Sequence, residues 1–453
     1  MKIYISGISG TGMGPLALVA RDAGHEVVGT DISKGAIYDE LARAGIDVKI
    51  GAQDGEYLKS QIEDVDWYVY TSAVQEGHLE LMLAREWQET HSGFRISKRD
   101  DFTEYLIESL ELKLVAVAGT HGKTTTTSMI IWACLKLGLP IAYLAGTTLG
   151  FASSGAWHEG DKFFVYEADE YDRNFLRYHP WLAVIPVATY DHADIYADEA
   201  EYQAAFEQFQ DQSEKVLRKG GKLTWKNLEP LRVWPDAFRL AGKVRRADAS
   251  LAAMAVHEMV RELSVGEGEV HADGTHGFVM ADGREISADD IIKVLNEFPG
   301  VGRRFEKLAE GFYTDYAHHP EEVEATIAVA KMQALMDGRK GVVVVYEPHQ
   351  NARQYAVREG YREAFEKAKR VYWVPTYLVR GEKEAAERGE LAILTPAELV
   401  AGLSEKTKAE ATELNDRLFR ILWKWRNDGY LVLLMTAGPG DAWLRRKLAE
   451  AGE

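Results

Sequence analysis

One cysteine stands among 453 residues, and a chain with a single thiol cannot form an internal disulfide. That excludes the stapled frameworks of small secreted domains and makes a reducing cytoplasm the expected location. Cys134 lies in the apolar run "IIWACLKLG", where a buried helix residue is expected and a nucleophile is not. Positive charge is also short: 53 Lys and Arg against 71 Asp and Glu leave a formal charge of -18. Nucleic acid or an anionic membrane surface would need clustered basic residues, so neither is an expected partner, while an anionic small molecule remains open. No apolar run reaches the length of a membrane span, and "MKIYISG" reads as a strand entering glycines, not as a signal peptide. Short-period repeats and low-complexity tracts are absent as well.

What is present is apolar material, 46% of the chain, enough for two to four domains at this length. It recurs as "KIYIS", "HEVVGTD", "WYVYTS", "KLVAVAG", "FFVYEAD", "LAVIPVAT", "GVVVVYEP", "RVYWVPT" and "LVLLMTAG". Helical patterns such as "GPLALVARDAGH" and "EEVEATIAVAKMQALM" separate them, which implies α/β organisation with mostly parallel sheets covered on both faces. A first domain is expected over 1–110, closing near "SKRDDFTEYLIESLELK"; a second over 111–297; and a third over 298–453, after Pro and Gly interrupt "NEFPGVGRRFEKL". Within 248–297 the pattern predicts a helix at "DASLAAMAVHEMV" and hairpin-like sequence after it.

Two glycine-bearing turns follow strands. In "LVAVAGTHGKTTTTSMI" the backbone from Gly119 through Thr120, His121 and Gly122 to Lys123, Thr124 and Thr125 would face an anion at a helix N-terminus. Lys123 would reach outer phosphates and the Thr124 hydroxyl would ligate Mg²⁺. Only two residues separate Gly119 from Gly122 where the common phosphate loop has four, and a capped turn is the bland alternative. The N-terminal "GISGTGMG" places Gly7, Gly10, Gly12 and Gly14 before a helix, with Asp31 ending the next strand; the order Gly-x-x-Gly-x-Gly is a variant dinucleotide fingerprint. Thr71 and Ser72 would add hydroxyls to that ligand. Two phosphate-bearing ligands are therefore implied. Glu167, Asp169, Glu170 and Asp172 follow one strand and Asp191, His192 and Asp194 another, where an open parallel sheet binds ligands and a hard cation finds oxygen donors. Later, Asp315, Tyr316, His318 and His319 stand in "TDYAHHP", and His349 and Arg353 in "EPHQNAR"; Arg353 could fork onto a carboxylate.

With "GISGTGMGPLA", "AVAGTHGKTTTT", "EADEYDRNF", "YDHADIY", "FPGVGRRFE" and "TDYAHHP" in this order, the chain resembles the Mur ligase family of cell-wall enzymes over nearly its whole length, and within it the alanine-adding type. The resemblance implies three domains: a Rossmann-like N-terminal unit for a UDP-sugar, a P-loop-type central ATPase unit and a Rossmann-like C-terminal unit. It implies ATP and Mg²⁺ as cofactors and UDP-N-acetylmuramate and L-alanine as substrates, in a monomer or homodimer. Lys123, Glu167 and His192 would be catalytic, with Thr124, Glu167 and His192 holding Mg²⁺. Gly119 to Thr125, Arg304 and Asp315 would bind ATP. Gly7, Gly10, Gly12, Met13, Asp31, Thr71 and Ser72 would bind the UDP-sugar, and Tyr316, His349 and Arg353 the amino acid.

Some positions depart from the family pattern. "GKVRRAD" puts Val244, Arg245 and Asp248 where relatives carry adenine-side His and Asn residues, Gln350 replaces an Arg, and "DEYD" resembles the ligases that attach a murein tripeptide to the same UDP-sugar. Phe206 stands near the position where sister ligases carry a modified lysine. Two other classes compete: a nicotinamide-dependent dehydrogenase, which leaves "GTHGKTTTT" without a role, and a non-catalytic UDP-sugar-binding protein.

Overall fold

All nine apolar runs are strands in the computed structural model, which describes every residue except 72, 191–194, 220–222, 228–234, 241, 271–275, 303 and 379 and the side chains of 269, 270, 276 and 380. The first sheet holds β1 (Lys2–Ser6), β2 (Glu26–Asp31), β3 (Asp47–Ile50), β4 (Trp67–Tyr70) and β5 (Arg95–Lys98), all parallel, in the order β3-β2-β1-β4-β5. Chain order reverses at β1, so the crevice beyond its C-terminal end is where an open sheet of this kind binds a ligand.

The second sheet comprises β6 (Lys113–Val117), β7 (Ile141–Leu144), β8 (Gly155–Ala156), β9 (Phe163–Glu167), β10 (Leu182–Ile185), β11 (Lys215–Lys219) and β12 (Leu223–Lys226). Its order is β12-β11-β10-β6-β9-β7-β8, with antiparallel strands only at the two edges. Burial on both faces explains the unbroken apolar runs of β6 and β10. A small antiparallel sheet of β13 (Gly266–Val270), β14 (His276–Val279) and β15 (Glu285–Ile286) follows.

These three sheets lie in one compact unit, Met1–Phe298, and one continuous core runs through the first two, from Ile5 and Phe102 to Leu114 and Phe206. The N-terminal helix Met13–Asp22 abuts β8 so closely that a Cβ at Gly155 would lie 2.3 Å from the Pro15 carbonyl oxygen. Only glycine fits there.

The second unit, Pro299–Glu453, contains β16 (Glu306–Ala309), β17 (Phe312–Asp315), β18 (Val342–Glu347), β19 (Arg370–Trp373), β20 (Ala409–Ala411) and β21 (Leu431–Thr436), ordered β16-β17-β21-β18-β19-β20. All pairs but β16–β17 are parallel. Pro320 opens the helix Pro320–Met336 at the position where a missing N–H costs nothing, and Glu322 folds back on the backbone of His319. Among the described residues no helix is long and apolar enough to cross a membrane.

One helix differs from expectation. The pattern predicts a start at Asp248, but the helix spans Lys243–Leu263, beginning five residues earlier where Gly242 at φ +92° turns the chain. Val244, Arg245 and Asp248 are thus helical residues.

Candidate active site

Gly7 leaves β1 at φ +79° and donates its N–H to the Thr30 carbonyl at 2.8 Å, so the first turn closes onto the neighbouring strand. Asp31 Oδ2 accepts the Ser9 N–H at 2.9 Å, which makes Asp31 a brace for the loop itself. The Thr71 methyl lies against Gly7, 3.3 Å from where a Cβ would stand. Gly10 and Gly12 lead into the helix Met13–Asp22; Met13, expected at the UDP-sugar, buries its side chain in the core. Behind the loop, fully buried Glu80 accepts hydroxyl hydrogen bonds from Tyr4 and Ser6 at 2.7 Å and Thr30 at 2.9 Å. Two strands, β1 and β2, and the helix Leu79–Thr90 are tied together there. Ser72 lies outside the described residues.

The second loop is set by strand register. β6 pairs in parallel with β9 so that Val117 faces Glu167, and the loop leaving β6 therefore emerges beside the carboxylate that ends β9. Gly119 has φ +144°, and a Cβ there would lie 2.4 Å from the Val187 carbonyl oxygen. Thr120 donates its N–H to that oxygen at 2.7 Å and its hydroxyl to the Thr189 carbonyl at 2.6 Å, while Gly122 at φ +86° opens the helix Lys123–Leu137. His121 is exposed and Thr125 half-buried.

Lys123 Nζ donates to the Gly119 carbonyl at 2.6 Å and to both carboxylate oxygens of Glu170 at 2.8 and 2.7 Å. Thr124 Oγ1 donates to Glu167 Oε1 at 3.0 Å. Burial, with the charge of Glu170 adding to it, pushes the Asp169 carboxyl above the usual range. Asp248 presses on the same turn, its Oδ1 3.0 Å from a Gly122 Cβ position, and burial raises its pKa from 3.8 to about 7 against Lys219 and Arg245.

Hydroxyl and carboxylate oxygens are the donors a small hard cation takes, and Gly146 keeps open the space beside Glu167 Oε2 that a Cβ would enter at 2.9 Å. Thr124 and Glu167 therefore fit Mg²⁺. Asp191, His192 and Asp194 lie outside the described residues, among which no cluster of three His, Cys, Asp or Glu side chains forms a metal site. Phe206 is a core residue packed on Phe175 and Tyr202.

In the second unit Asp315, ending β17, accepts N–H bonds from Phe305 at 2.7 Å and Ala317 at 2.8 Å, and burial raises its pKa against the nearby Arg304. Arg304 stacks over Tyr316 at 5.2 Å. Arg353 Nη1 bonds His318 Nε2, and Nδ1 of the same ring lies 3.0 Å from the Tyr316 carbonyl. Burial holds His318 below its ordinary pKa, so the neutral ring donates through Nδ1 and accepts through Nε2. His349 packs on Tyr377 at 5.8 Å and edge-on to His318 at 5.5 Å. Gln350 at φ +58° turns the chain into the helix Asn351–Val357.

Tyr316, His349 and Arg353, which the family resemblance implies for the amino acid, each contact His318. Sequence reasoning missed three contacts: Glu170 on Lys123, His318 on Arg353 and Arg99 at the first loop. The adjacent "KRDD" charges were a signal for Arg99 that reads equally well as a solvated helix start.

Residues 2–88 match the family described as "Mur ligase family, catalytic domain" and residues 117–218 the "Mur ligase middle domain". The chain is 32% identical to a UDP-N-acetylmuramate–L-alanine ligase of Lactobacillus helveticus, covering 83% of this chain and 85% of that one. It is 31% identical to the enzyme of the same name from Symbiobacterium thermophilum, over 99% of this chain and 94% of that one. The crystal structure of UDP-N-acetylmuramate–alanine ligase from Thermotoga maritima superposes over 100% of both chains with a TM-score of 0.69 at 19% identity, a likeness of fold.

Proposed function

The chain belongs to the Mur ligase family, and on that premise we propose that it joins L-alanine to the lactyl carboxylate of UDP-N-acetylmuramate, with ATP cleaved to ADP and phosphate, in peptidoglycan precursor synthesis. One observation carries this reading: a relative of that name aligns with 99% of the chain. The Lys123–Thr124 turn beside Glu167 is consistent with it, since phosphoryl transfer needs such a pairing.

The lactyl carboxylate oxygen attacks the γ-phosphorus of ATP and ADP departs, leaving an acyl phosphate. The alanine amine then attacks the acyl carbon, loses a proton, and phosphate leaves. No covalent enzyme intermediate is needed. Lys123 supplies a positive charge to the transferring phosphoryl group, released for that purpose from Glu170. Backbone N–H groups at the start of the helix Lys123–Leu137 cradle the phosphates. Thr124 and Glu167, joined by His192, are the residues that would hold Mg²⁺, which screens phosphate charge when bound. Gly7, Gly10 and Gly12 receive the UDP-sugar, with Thr71 against Gly7. The family resemblance assigns Arg304 and Asp315 to ATP, Asp315 to its ribose. Arg353 exchanges His318 for the alanine carboxylate, with Tyr316 and His349 lining that pocket. Placement is the main contribution of such residues, because an acyl phosphate must meet the amine before water.

A murein tripeptide is the alternative acceptor, favoured by "DEYD" and by Gln350. Phosphate release from Mg²⁺-ATP and UDP-N-acetylmuramate, measured with no acceptor, L-alanine, glycine, L-serine or tripeptide, separates the readings. Release that requires L-alanine supports the proposal. Dependence on tripeptide transfers the chain to the recycling activity, and UDP-sugar binding without any release makes it a binding protein.

A further inference from the structure

Arg99 follows β5 directly and opens the helix Arg99–Ser109, yet its guanidinium reaches the glycine loop of β1. A Cβ built on Gly12 would lie 2.8 Å from Nη1. The other two nitrogens, Nε and Nη2, donate to Asp100 Oδ1 at 3.3 and 3.0 Å. That oxygen is itself anchored, since the hydroxyls of Tyr166 and Tyr178 each donate to it at 3.0 Å, and Asp100 is 2% exposed. One edge of the fork is therefore held in place. Among the described residues Nη1 has no hydrogen-bond partner.

Neutralising Asp100 would account for the held edge but not for the position of the other. The unpaired nitrogen stands at Gly12, the N-cap of the helix Met13–Asp22, where backbone dipoles already favour an anion. A guanidinium keeps its charge at any working pH and forks readily onto phosphate oxygens. On the reading that this loop receives a UDP-sugar, we propose that Arg99 is a binding residue for its diphosphate, Nη1 donating to a phosphate oxygen seated at Gly10–Gly12. The lactyl carboxylate is the other anion of the same substrate, but Nη1 lies at the loop that takes diphosphates in folds of this type.

Calorimetric titration of the full chain with UDP, UDP-N-acetylglucosamine and UDP-N-acetylmuramate tests this, because only the last carries the lactyl group. Arg99→Gln is expected to weaken all three by about tenfold, the loss of one charge-assisted hydrogen bond, while the KM for ATP stays unchanged. Arg99→Lys, which keeps the charge but breaks the fork on Asp100, is expected to lose less. Unaltered UDP affinity in Arg99→Gln, or a loss confined to UDP-N-acetylmuramate, overturns the diphosphate assignment. So does an Arg99→Lys protein as impaired as Arg99→Gln, the mark of a purely structural brace. Failure of the unmodified chain to bind any of the three overturns the UDP-sugar reading itself, and this assignment with it.

Discussion

Lys123 and Glu170 form a buried ion pair in which Nζ lies 2.8 and 2.7 Å from the two carboxylate oxygens and the Glu170 side chain is 1% exposed. The Lys123 amine is thus already engaged, and on the proposed reading the outer phosphates of ATP would compete with Glu170 for it. Holding the amine in place before ATP arrives restricts a flexible four-carbon stem.

Removing one partner of such a pair leaves an uncompensated buried charge. Lys123→Ala is expected to cost about 3 to 5 kcal/mol of stability in denaturant unfolding and to abolish phosphate release. Adding Glu170→Gln should return most of the stability and none of the activity. A single Lys123→Ala variant as stable as the parent would show that Glu170 is not held by this cation.

Glu167→Gln preserves an oxygen for the Thr124 hydroxyl but removes the charge that the proposed site would offer to Mg²⁺. The Mg²⁺ concentration giving half-maximal phosphate release should rise by at least about tenfold while the thermal midpoint barely moves. Chelation of Mg²⁺ should stop release in the unaltered chain. Unchanged Mg²⁺ dependence in Glu167→Gln would remove this residue from the cation site.

Gly119→Ala places a methyl 2.4 Å from the Val187 carbonyl oxygen at a φ of +144°. Backbone strain alone should destabilise the fold by about 1 to 3 kcal/mol, and the displaced loop should lose ATP affinity more than UDP affinity. Parallel titrations with the two nucleotides read the difference. Equal losses would mean that the variant disturbs the whole unit and not its loop.

Asp248 gives a pH dependence with a definite sign. Folding raises its pKa from 3.8 to about 7, chiefly by burial, so the folded state binds the proton more tightly than the unfolded chain. Its contribution is fully present below pH 4, falls as pH rises toward 7, and is then lost, by an amount on the order of 4 kcal/mol. Asp248→Asn should remove that slope, so its stability gain over the parent grows between pH 5 and pH 8 in urea unfolding. A gain that is equal at every pH would locate the effect in packing, not in ionisation.

Strands were legible where burial on both faces demands continuous Val, Ile, Leu and Tyr, as in β18, whose six residues are all buried. β3 and β20 escaped notice because each is a short edge strand with exposed residues, and neither carries an apolar run. The Lys243 helix was read from Asp248 because its first turn is basic and half-exposed; a positive φ at Gly242 sets its start, and φ is not a pattern of hydrophobicity.

The sequence by itself determined the order of α/β elements, both glycine turns and the family, since each is encoded by neighbouring residues: a strand, a bend and a helix start within about a dozen positions. Only the tertiary structure decided what those turns touch. Glu170 meets Lys123 across 47 positions and Arg353 meets His318 across 35, while Arg99 reaches Gly12 from the far side of the first sheet's sequence. Parallel register is the physical reason. It gathers the C-terminal ends of strands that are distant in the chain, and no local periodicity records which side chains then come within hydrogen-bonding distance.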